Sequence, residues 1–520
     1  MIDPEGIRLG AIAIVAVLVA AVARNRGINP SLPLLGAGLL FGLLPFGPEA
    51  PADPELVLVI VLAPLVFGEA LSSSIIDLRR VSRPVMGLAI GLVVVGAFAV
   101  GAVAQMIVPQ LPLTVALCLG AILAPTDAVA VAATAKAVAL PRRIVTILEG
   151  ESLVNDGTAL TLLRVCAVAA AAGTVTAGEV GLILVESVLG GLIAGALGGL
   201  FLAWVIRRSR DTTVANGIIL IAPWPIYAGA ERVEGSGILA VVVAALILAH
   251  ATSSAITYAG RLQAAMLWRT ILFLLQAIAF FLVGLDVPAA LAALTGDERR
   301  SLIYIVPVVV LTLIVTRFLF VYIMATLTQT RTRGSKAWIV VAWAGTRGPV
   351  SALAAFTLPL TTGAGAPFPE RDLVISITFC VVVVTLLLAP TMGPLARALH
   401  LPHDDDAATL HRVQLSLARA ALDRLEEMEE AAERSAEPIP RPTLQRLRSG
   451  TEGRLHRLEE QEGSDSVAPT PHQERELRIS MVHAEQEELL RMRDEEGLPD
   501  DLVRTMQKEL DVRARAAQSI

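Results

Sequence analysis

The polar run at residues 149–158 carries the strongest chemical signal in the chain. It reads EGESLVNDGT and lies inside the apolar stretch 144–170. Residues three and four apart share a face of an α-helix, so Ser152, Asn155 and Asp156 should lie together, while Glu151 points partly aside. This spacing predicts that Ser152 and Asp156 offer oxygens to one site and that Glu151 makes a separate contact.

Asp156 has the chemistry of an exchange site. Oxygen ligands suit a hard cation or a proton. Removal from water favours the neutral form of a carboxyl group, so a buried carboxylate can hold a proton near neutral pH and release it when a cation arrives. One carboxylate that serves two competing ligands in turn is the minimum machinery for exchanging a metal cation for a proton.

Few other ionisable residues lie within apolar stretches, where each costs at least ~2.5–3.5 kcal/mol on insertion scales. They are Glu69, Asp127, Glu151, Arg164, Glu186, Arg269, Arg317 and Arg347. Buried charges of opposite sign usually pair. We expect such a structural pair for Glu151 with Arg347 and, less specifically, for Glu186, Arg164, Arg269 and Arg317. For Asp127 two readings stay open: a hydrogen bond to Asn155 across the site, or a cap on the half-helix that begins after Pro125.

The composition indicates a membrane protein with a soluble tail. The chain has 520 residues, of which 54% are hydrophobic and 17% charged. Residues 1–400 hold 25 Lys and Arg against 21 Asp and Glu, whereas residues 401–520 hold 17 against 27. This division excludes a single soluble domain and a disordered chain, and the lack of a basic patch argues against nucleic-acid binding. Three dispersed cysteines predict neither a disulfide framework nor a cysteine metal site, and we expect no cofactor.

Thirteen apolar stretches are candidates for membrane helices of about 20 residues. They are 7–23, 31–46, 55–76, 84–107, 111–135, 144–170, 180–206, 214–230, 236–251, 266–287, 301–327, 337–360 and 373–398. Alternate loops carry 15 basic residues and the other loops only four. The positive-inside rule then places the C-terminus in the cytoplasm and the N-terminus outside, as thirteen spans require.

An odd span count gives two sets of six helices with inverted topology if the seventh is a linker, an architecture found in transporters. The fifth span of each set contains a helix-breaking sequence with an ionisable residue: Ala124-Pro125-Thr126-Asp127 in one, and Gly345-Thr346-Arg347-Gly348-Pro349 in the other. Such interrupted helices mark the binding site in inverted-repeat transporters. The sequence thus predicts an all-α polytopic membrane domain over 1–400, with crossed broken helices.

The acidic segment 401–520 predicts a mostly helical cytoplasmic tail. Leucines and alanines at helical spacing over 415–425 and apolar residues over 489–506 indicate two amphipathic regions. Residues 435–475, rich in Pro, Gly, Ser and charge, suggest a linker. The tail is either a solvated extension or a regulatory module that contacts a ligand or partner.

At these motifs the sequence resembles the bacterial sodium/proton exchanger branch of the cation:proton antiporter-1 family. The resemblance rests on LAPLVFGEAL (62–71), APTDAVAVAATAK (124–136), EGESLVNDGTAL (149–160) and VAWAGTRGPVSALAA (341–355). Their order and spacing cover about residues 10–400. The resemblance implies a plasma-membrane homodimer, active in pH homeostasis, in which a mobile six-helix core slides against a dimerisation domain. It also implies electroneutral exchange of one cation for one proton.

The resemblance implies a role for each site residue. Asp156 would bind cation and proton alternately, with Ser152 and the main chain of Thr126 as further ion ligands. Asn155 would hold the crossing helices together through Asp127. Two departures from the family pattern stand out. Ala128 follows Asp127 where many relatives have Pro, and the acid of span 3, Glu69, is shifted by one position, which leaves its contact with the ion open.

Several functions compete at this point. A sodium/proton antiporter that also accepts Li+ leads, and a potassium/proton antiporter is its near variant. A passive channel or an anion transporter is a second class, and an intramembrane aspartyl enzyme using Asp127 and Asp156 is a third. The acidic core argues against anions, and Asn155 beside Asp156 favours ion coordination over hydrolysis. We therefore predict a secondary transporter, not an enzyme.

Overall fold

The computed structural model describes residues 4–44, 58–127, 140–172, 177–209, 211–255, 258–327, 336–362, 365–400, 406–433 and 441–463, with residues 485, 491 and 512. This part is almost wholly helical and contains one isolated antiparallel bridge, Thr361 to Pro367. The helices are α1 (Pro4–Asn25), α2 (Ser31–Gly42), α3 (Ala63–Ser72), α4 (Ile75–Arg80), α5 (Ser82–Ile107), α6 (Leu113–Leu123), α7 (Arg142–Ala172), α8 (Ala177–Arg208), α9 (Thr212–Glu231), α10 (Gly237–Ala255), α11 (Tyr258–Ala293), α12 (Gly296–Leu327), α13 (Ala337–Trp343), α14 (Pro349–Phe356), α15 (Arg371–Ala398), α16 (Asp406–Glu433) and α17 (Arg441–Gly463).

Seven of the described helices are long and apolar enough to cross a membrane: α5, α7, α8, α9, α11, α12 and α15. Each predicted apolar stretch overlaps a described helix. A multi-pass helical membrane protein is therefore confirmed, while the count of thirteen spans and the inverted repeat stay predictions.

Two predicted spans are interrupted where proline was expected to break them. Helix α6 ends at Leu123 and the chain runs on without helix to Asp127, and α13 and α14 are separated by five non-helical residues, 344–348. Proline lacks an amide hydrogen and clashes with the preceding turn, so Pro125 cannot continue α6. Pro349 instead takes the first position of α14, where its missing donor costs nothing. The rest of span 111–135 lies outside the described residues.

The buried apolar side chains form separate groups. One group joins α5, α6, α7, α12 and α15 through residues such as Val100, Leu119 and Val309. Another joins α3 to α8, α9 and α10, with Leu202 and Val241 fully or nearly buried. The helices α6 and α14, one beside each break, therefore share one core, α13 packs in a separate group, and the α8–α10 group has its own.

The described part of the tail contains two helices, α16 and α17, where the sequence predicted an amphipathic region over 415–425 followed by a linker over 435–475. The chain divides into two compact units, Met1–Asp404 and Asp405–Ile520. Helix α17 lies inside the segment predicted as linker, so that prediction is wrong. Its helix follows from charge pairs one turn apart, such as Arg448 with Glu452 at 3.1 Å, and from Leu444 packed inward. The second predicted amphipathic region, 489–506, has only Arg491 among the described residues.

Candidate functional site

The two breaks are joined to each other by their backbones. The amide of Asp127 donates a hydrogen bond to the carbonyl oxygen of Thr346 at 2.8 Å. The approach is close enough to require glycine at 348, because a Cβ there would lie 2.7 Å from the Asp127 Cβ. The polar groups that each break leaves unpaired are thus partly satisfied by the other break, as a membrane interior demands.

Helix α7 contacts the first break through the predicted polar face. The Ser152 hydroxyl donates to the Thr126 carbonyl oxygen at 2.7 Å, and Asn155 Nδ2 donates to the Thr126 hydroxyl at 3.1 Å. Asn155 was expected to act through Asp127. The Asn155 amide instead donates to the hydroxyl of Thr126, the residue before Asp127, so that expectation is corrected.

Glu151 makes the separate contact that its position on α7 predicted, but with a different arginine. Arg317 on α12 holds the carboxylate with two hydrogen bonds of 2.5 and 2.9 Å, and both side chains are at most 2% exposed. The Thr126 hydroxyl donates to the same carboxylate at 3.1 Å. The predicted Glu151–Arg347 ion pair is therefore wrong, because Arg317 occupies both carboxylate oxygens.

Arg347 serves the backbone of the breaks instead. Its Nε donates to the Leu123 carbonyl oxygen at 3.0 Å, and Nη1 donates to that of Gly345. Both oxygens lie where a helix ends and its carbonyls lack intrahelical partners. The guanidinium thus satisfies the C-terminal end of α6 and the turn after α13, where a positive charge also suits the helix dipole.

Asp156 borders a small cavity of about 20 Å³. The polar lining comprises Glu69, Thr126, Asp127, Ser152, Asp156, Gln276 and Ser351. Asp156 is 3% exposed, and within the described part of the chain no donor lies at hydrogen-bond distance from its carboxylate. Its oxygens are therefore available to a small ligand in the cavity.

The structure thus brings Thr126, Asp127, Ser152 and Asp156 to one cavity, with Asn155 behind Thr126. Glu69 lies on the same cavity despite its shifted position, although the structure sets no distance to an ion. Glu151 faces away from the cavity, toward α12. The possible ligand atoms of this set are carboxylate, hydroxyl, carbonyl and amide oxygens, with no imidazole or thiol group among the lining residues, which suits a hard cation or a proton.

Sequence reasoning missed two contributors. Arg317 was recognised only as one of several mid-span charges, because its helix contains no break or motif. Gln276 was not singled out, although a lone amide in the run LFLLQAIAFF was a readable signal.

Known proteins resemble this chain along most of its length. The family profile described as "Sodium/hydrogen exchanger, transmembrane" matches residues 11–396. An uncharacterized Na+/H+ exchanger of Mycobacterium tuberculosis is 32% identical, with 98% of this chain and 97% of that protein covered. A sodium, potassium, lithium and rubidium/H+ antiporter of Bacillus pumilus is 32% identical over 73% of this chain and 60% of its own. An Na+/H+ antiporter of Pseudomonas aeruginosa is 28% identical over 75% of this chain and 95% of its own.

A solved structure matches the fold. The sodium proton antiporter MjNhaP1 from Methanocaldococcus jannaschii, at pH 8, superposes with a TM-score of 0.62 at 22% identity, covering 75% of this chain and 97% of that one. Profile, relatives and fold agree with the motifs at the two breaks and on α7. The chain belongs to the sodium/hydrogen exchanger family of multi-pass membrane antiporters, which are secondary transporters and not enzymes.

Proposed function

We propose that this protein exchanges a monovalent cation, Na+ and also Li+, for H+ through competition of the two ions for Asp156. The observation that carries the proposal is the Asp156 carboxylate, which borders a cavity among oxygen ligands and has no protein donor in the described residues. A buried carboxylate in this setting cannot stay both charged and unpaired, so it must take up either a proton or a cation.

The neighbours of Asp156 then divide into ligands and supports. Ser152 and the carbonyl of Thr126 complete the cation shell with Asp156. Asn155 holds the Thr126 hydroxyl, and Asp127 ties its break to the other through the bond to Thr346. The cation displaces the proton from Asp156 on one side of the membrane, and the proton displaces the cation on the other.

Stoichiometry follows from the charges. Asn155 is neutral, so the Asn-Asp pair on α7 changes by one charge in each half-cycle, and one cation moves against one proton without net charge. We assign Glu69 to attracting cations along the access path to the cavity. A direct contact between Glu69 and the ion would add a second carboxylate to the count.

The architecture we propose has thirteen membrane helices in two inverted sets of six, and a core that moves as an elevator against a dimerisation domain in a homodimer. Loop charge supports a plasma-membrane orientation with the N-terminus outside and the C-terminus in the cytoplasm. The 401–520 tail is then a cytoplasmic, regulatory segment.

Proteoliposome flux tests the proposal. Purified protein should acidify or alkalinise the lumen when an Na+ or Li+ gradient is imposed, and clamping the membrane potential should leave the rate unchanged. Asp156→Asn should abolish this flux, and Asp77→Asn on the exposed face of α4 is the matched control. Normal flux by Asp156→Asn would refute the site.

The same assay separates the alternatives. A K+ gradient that drives faster proton flux than Na+ would favour the potassium/proton antiporter. The name of the Bacillus pumilus relative, which includes both ions, makes this the nearest variant. Cation flux that continues without proton movement would favour a channel.

A further inference from the structure

Beyond the ion cavity, α7 makes a second set of polar contacts with the turn between α9 and α10. Arg164 Nη1 donates to Glu231 Oε2 at 3.0 Å and to the Gly235 carbonyl oxygen at 3.1 Å. One turn before it on α7, the Thr161 hydroxyl bonds the Ser236 hydroxyl at 3.1 Å. We call Arg164, Glu231, Thr161 and Ser236 the α7 latch.

One side of the latch is firmly fixed. Glu231 Oε1 accepts the Gly237 amide at 2.9 Å, at the start of α10, and the Ser236 amide donates to the Ser187 carbonyl oxygen at 2.8 Å. The α9–α10 turn is therefore anchored to α8 by its backbone and to the start of α10 by the Glu231 side chain. Its described hydrogen bonds to α7 all involve a side chain of α7.

Packing around the latch shows the same contrast. Helices α8 and α10 interlock through glycines: a Cβ on Gly195 would lie 2.5 Å from the Ala240 carbonyl oxygen, and one on Gly199 would lie 2.8 Å from the Ala244 Cα. Where α7 meets α10, a Cβ on Gly157 would make only an ordinary contact, 3.6 Å from Leu239. Interlocked backbones resist sliding, whereas α7 and α10 are less closely interlocked at Gly157.

Two cavities are lined in part by residues of α7. The ion cavity touches Asp156, and a second cavity of about 590 Å³ is lined in part by Leu160, Arg164, Glu231 and Ser236. Leu160 follows Asp156 by four residues, so the two cavities approach the same face of α7 about one turn, or roughly 5.4 Å, apart. A small displacement of α7 along the seam would transfer Asp156 from one cavity to the other.

We propose that the α7 latch, through its Arg164–Glu231 ion pair, keeps Asp156 out of the second cavity. This ion pair must open before a cation can reach Asp156 from that side. Open, it frees the Glu231 carboxylate to face the incoming cation; closed, the Arg164 guanidinium covers that carboxylate and repels cations. The inference rests on the proposed exchange at Asp156.

Side-specific kinetics test the latch. Glu231→Gln keeps an oxygen for the Gly237 amide but removes the negative charge of the ion pair. Arg164→Gln instead removes the positive charge, on α7. Each variant should populate the state open to the second cavity, so the cation KM should fall on that side and rise on the other. For a partly exposed pair the shift should be about two- to fivefold in each direction. Right-side-out and everted membrane vesicles measure the two sides separately.

Controls keep the result interpretable. The double variant should match Arg164→Gln, because that variant already removes both the ion pair and the bond to the Gly235 carbonyl oxygen. Arg300→Gln removes an ion pair that joins α12 only to itself and should leave both KM values unchanged. Equal KM changes on both sides, or no change in the charge-removing variants, would overturn the latch. Absence of cation-coupled proton flux in the unmodified protein would instead overturn the exchange function, so the two failures are distinguishable.

Discussion

Glu151 and Asp156 are two carboxylates on one helix, five residues apart, in opposite situations. Both are at most 3% exposed. Glu151 takes two hydrogen bonds from Arg317 and a third from Thr126, whereas Asp156 faces a cavity and has no donor in the described residues. Burial alone therefore does not distinguish a structural acid from a transporting one. What distinguishes them is whether the protein supplies the counter-charge, as at Glu151, or leaves it to a mobile ion, as we propose for Asp156.

The comparison also explains why the two acids can coexist so closely. The Glu151 charge is neutralised by Arg317 across α7 and α12, so Asp156 need not share a cation with it. Thr126 links the two, because its hydroxyl donates to Glu151 and its carbonyl accepts from Ser152 beside Asp156. The carbonyl of Thr126, which we propose as an ion ligand, is thus tied to the Glu151–Arg317 pair through its own side chain.

The largest expected effect comes from breaking each acid in turn. Glu151→Ala leaves Arg317 buried and unpaired, which should destabilise the protein by about 3–5 kcal/mol and remove most folded protein. Asp156→Ala removes a charge that has no protein partner, so folded yield should persist while transport disappears. Size-exclusion profiles and thermal melts in detergent, compared with flux, measure both. Equal losses of folded protein would erase the distinction.

A paired replacement sharpens the structural half. Replacing both partners, Glu151→Leu with Arg317→Leu, should recover much of the folded protein lost in Glu151→Ala, because removing a whole buried ion pair is often nearly neutral. The same thermal melt measures it. A double variant as unstable as the single one would mean that Arg317 is needed for its bonds to the Val341 carbonyl and not mainly for Glu151.

Thr126→Val tests the link between the two acids. It keeps the shape but strands Asn155 Nδ2 and removes one donor from Glu151, at a cost of about 1–3 kcal/mol. We expect a lower melting temperature together with a raised cation KM. Thr378→Val, buried on α15 without a hydrogen-bond partner in the described structure, is the matched control and should cost little. A change in stability alone would separate Thr126 from the ion site.

The smallest expected effect is that of Ser152→Ala. One neutral ligand is lost while the charge at Asp156 stays, so the cation KM should rise by about 2- to 12-fold, the equivalent of roughly 0.5–1.5 kcal/mol. The folded yield should not change. A flux assay over a range of Na+ concentrations at fixed pH measures it, and an unaltered KM would remove Ser152 from the ligand set.

The sequence predicted the elements and the face of α7 well, because apolar length and helical spacing are local properties. The breaks at Pro125 and before Pro349 followed from backbone chemistry alone. The sequence did not predict which arginine pairs with Glu151. Arg317 is 166 residues away in the chain, and the apolar sequence of α12 does not indicate which of its faces points inward. Arg347 was the more obvious partner because it lies in a break. Its guanidinium instead donates hydrogen bonds to carbonyl oxygens that the two breaks leave without helical partners.

The hydrogen bond from Asp127 to Thr346 has a consequence for how the site meets water. Non-helical backbone at the centre of a membrane protein would normally exchange its amide hydrogens readily once an aqueous cavity reaches it. Here the amide of one break is consumed by the other, so Asp127 should show slow hydrogen–deuterium exchange although it belongs to no helix. The Thr126 carbonyl can then bind a hydrated cation, as we propose, while the non-helical segment that carries it keeps its hydrogen bond to the other break.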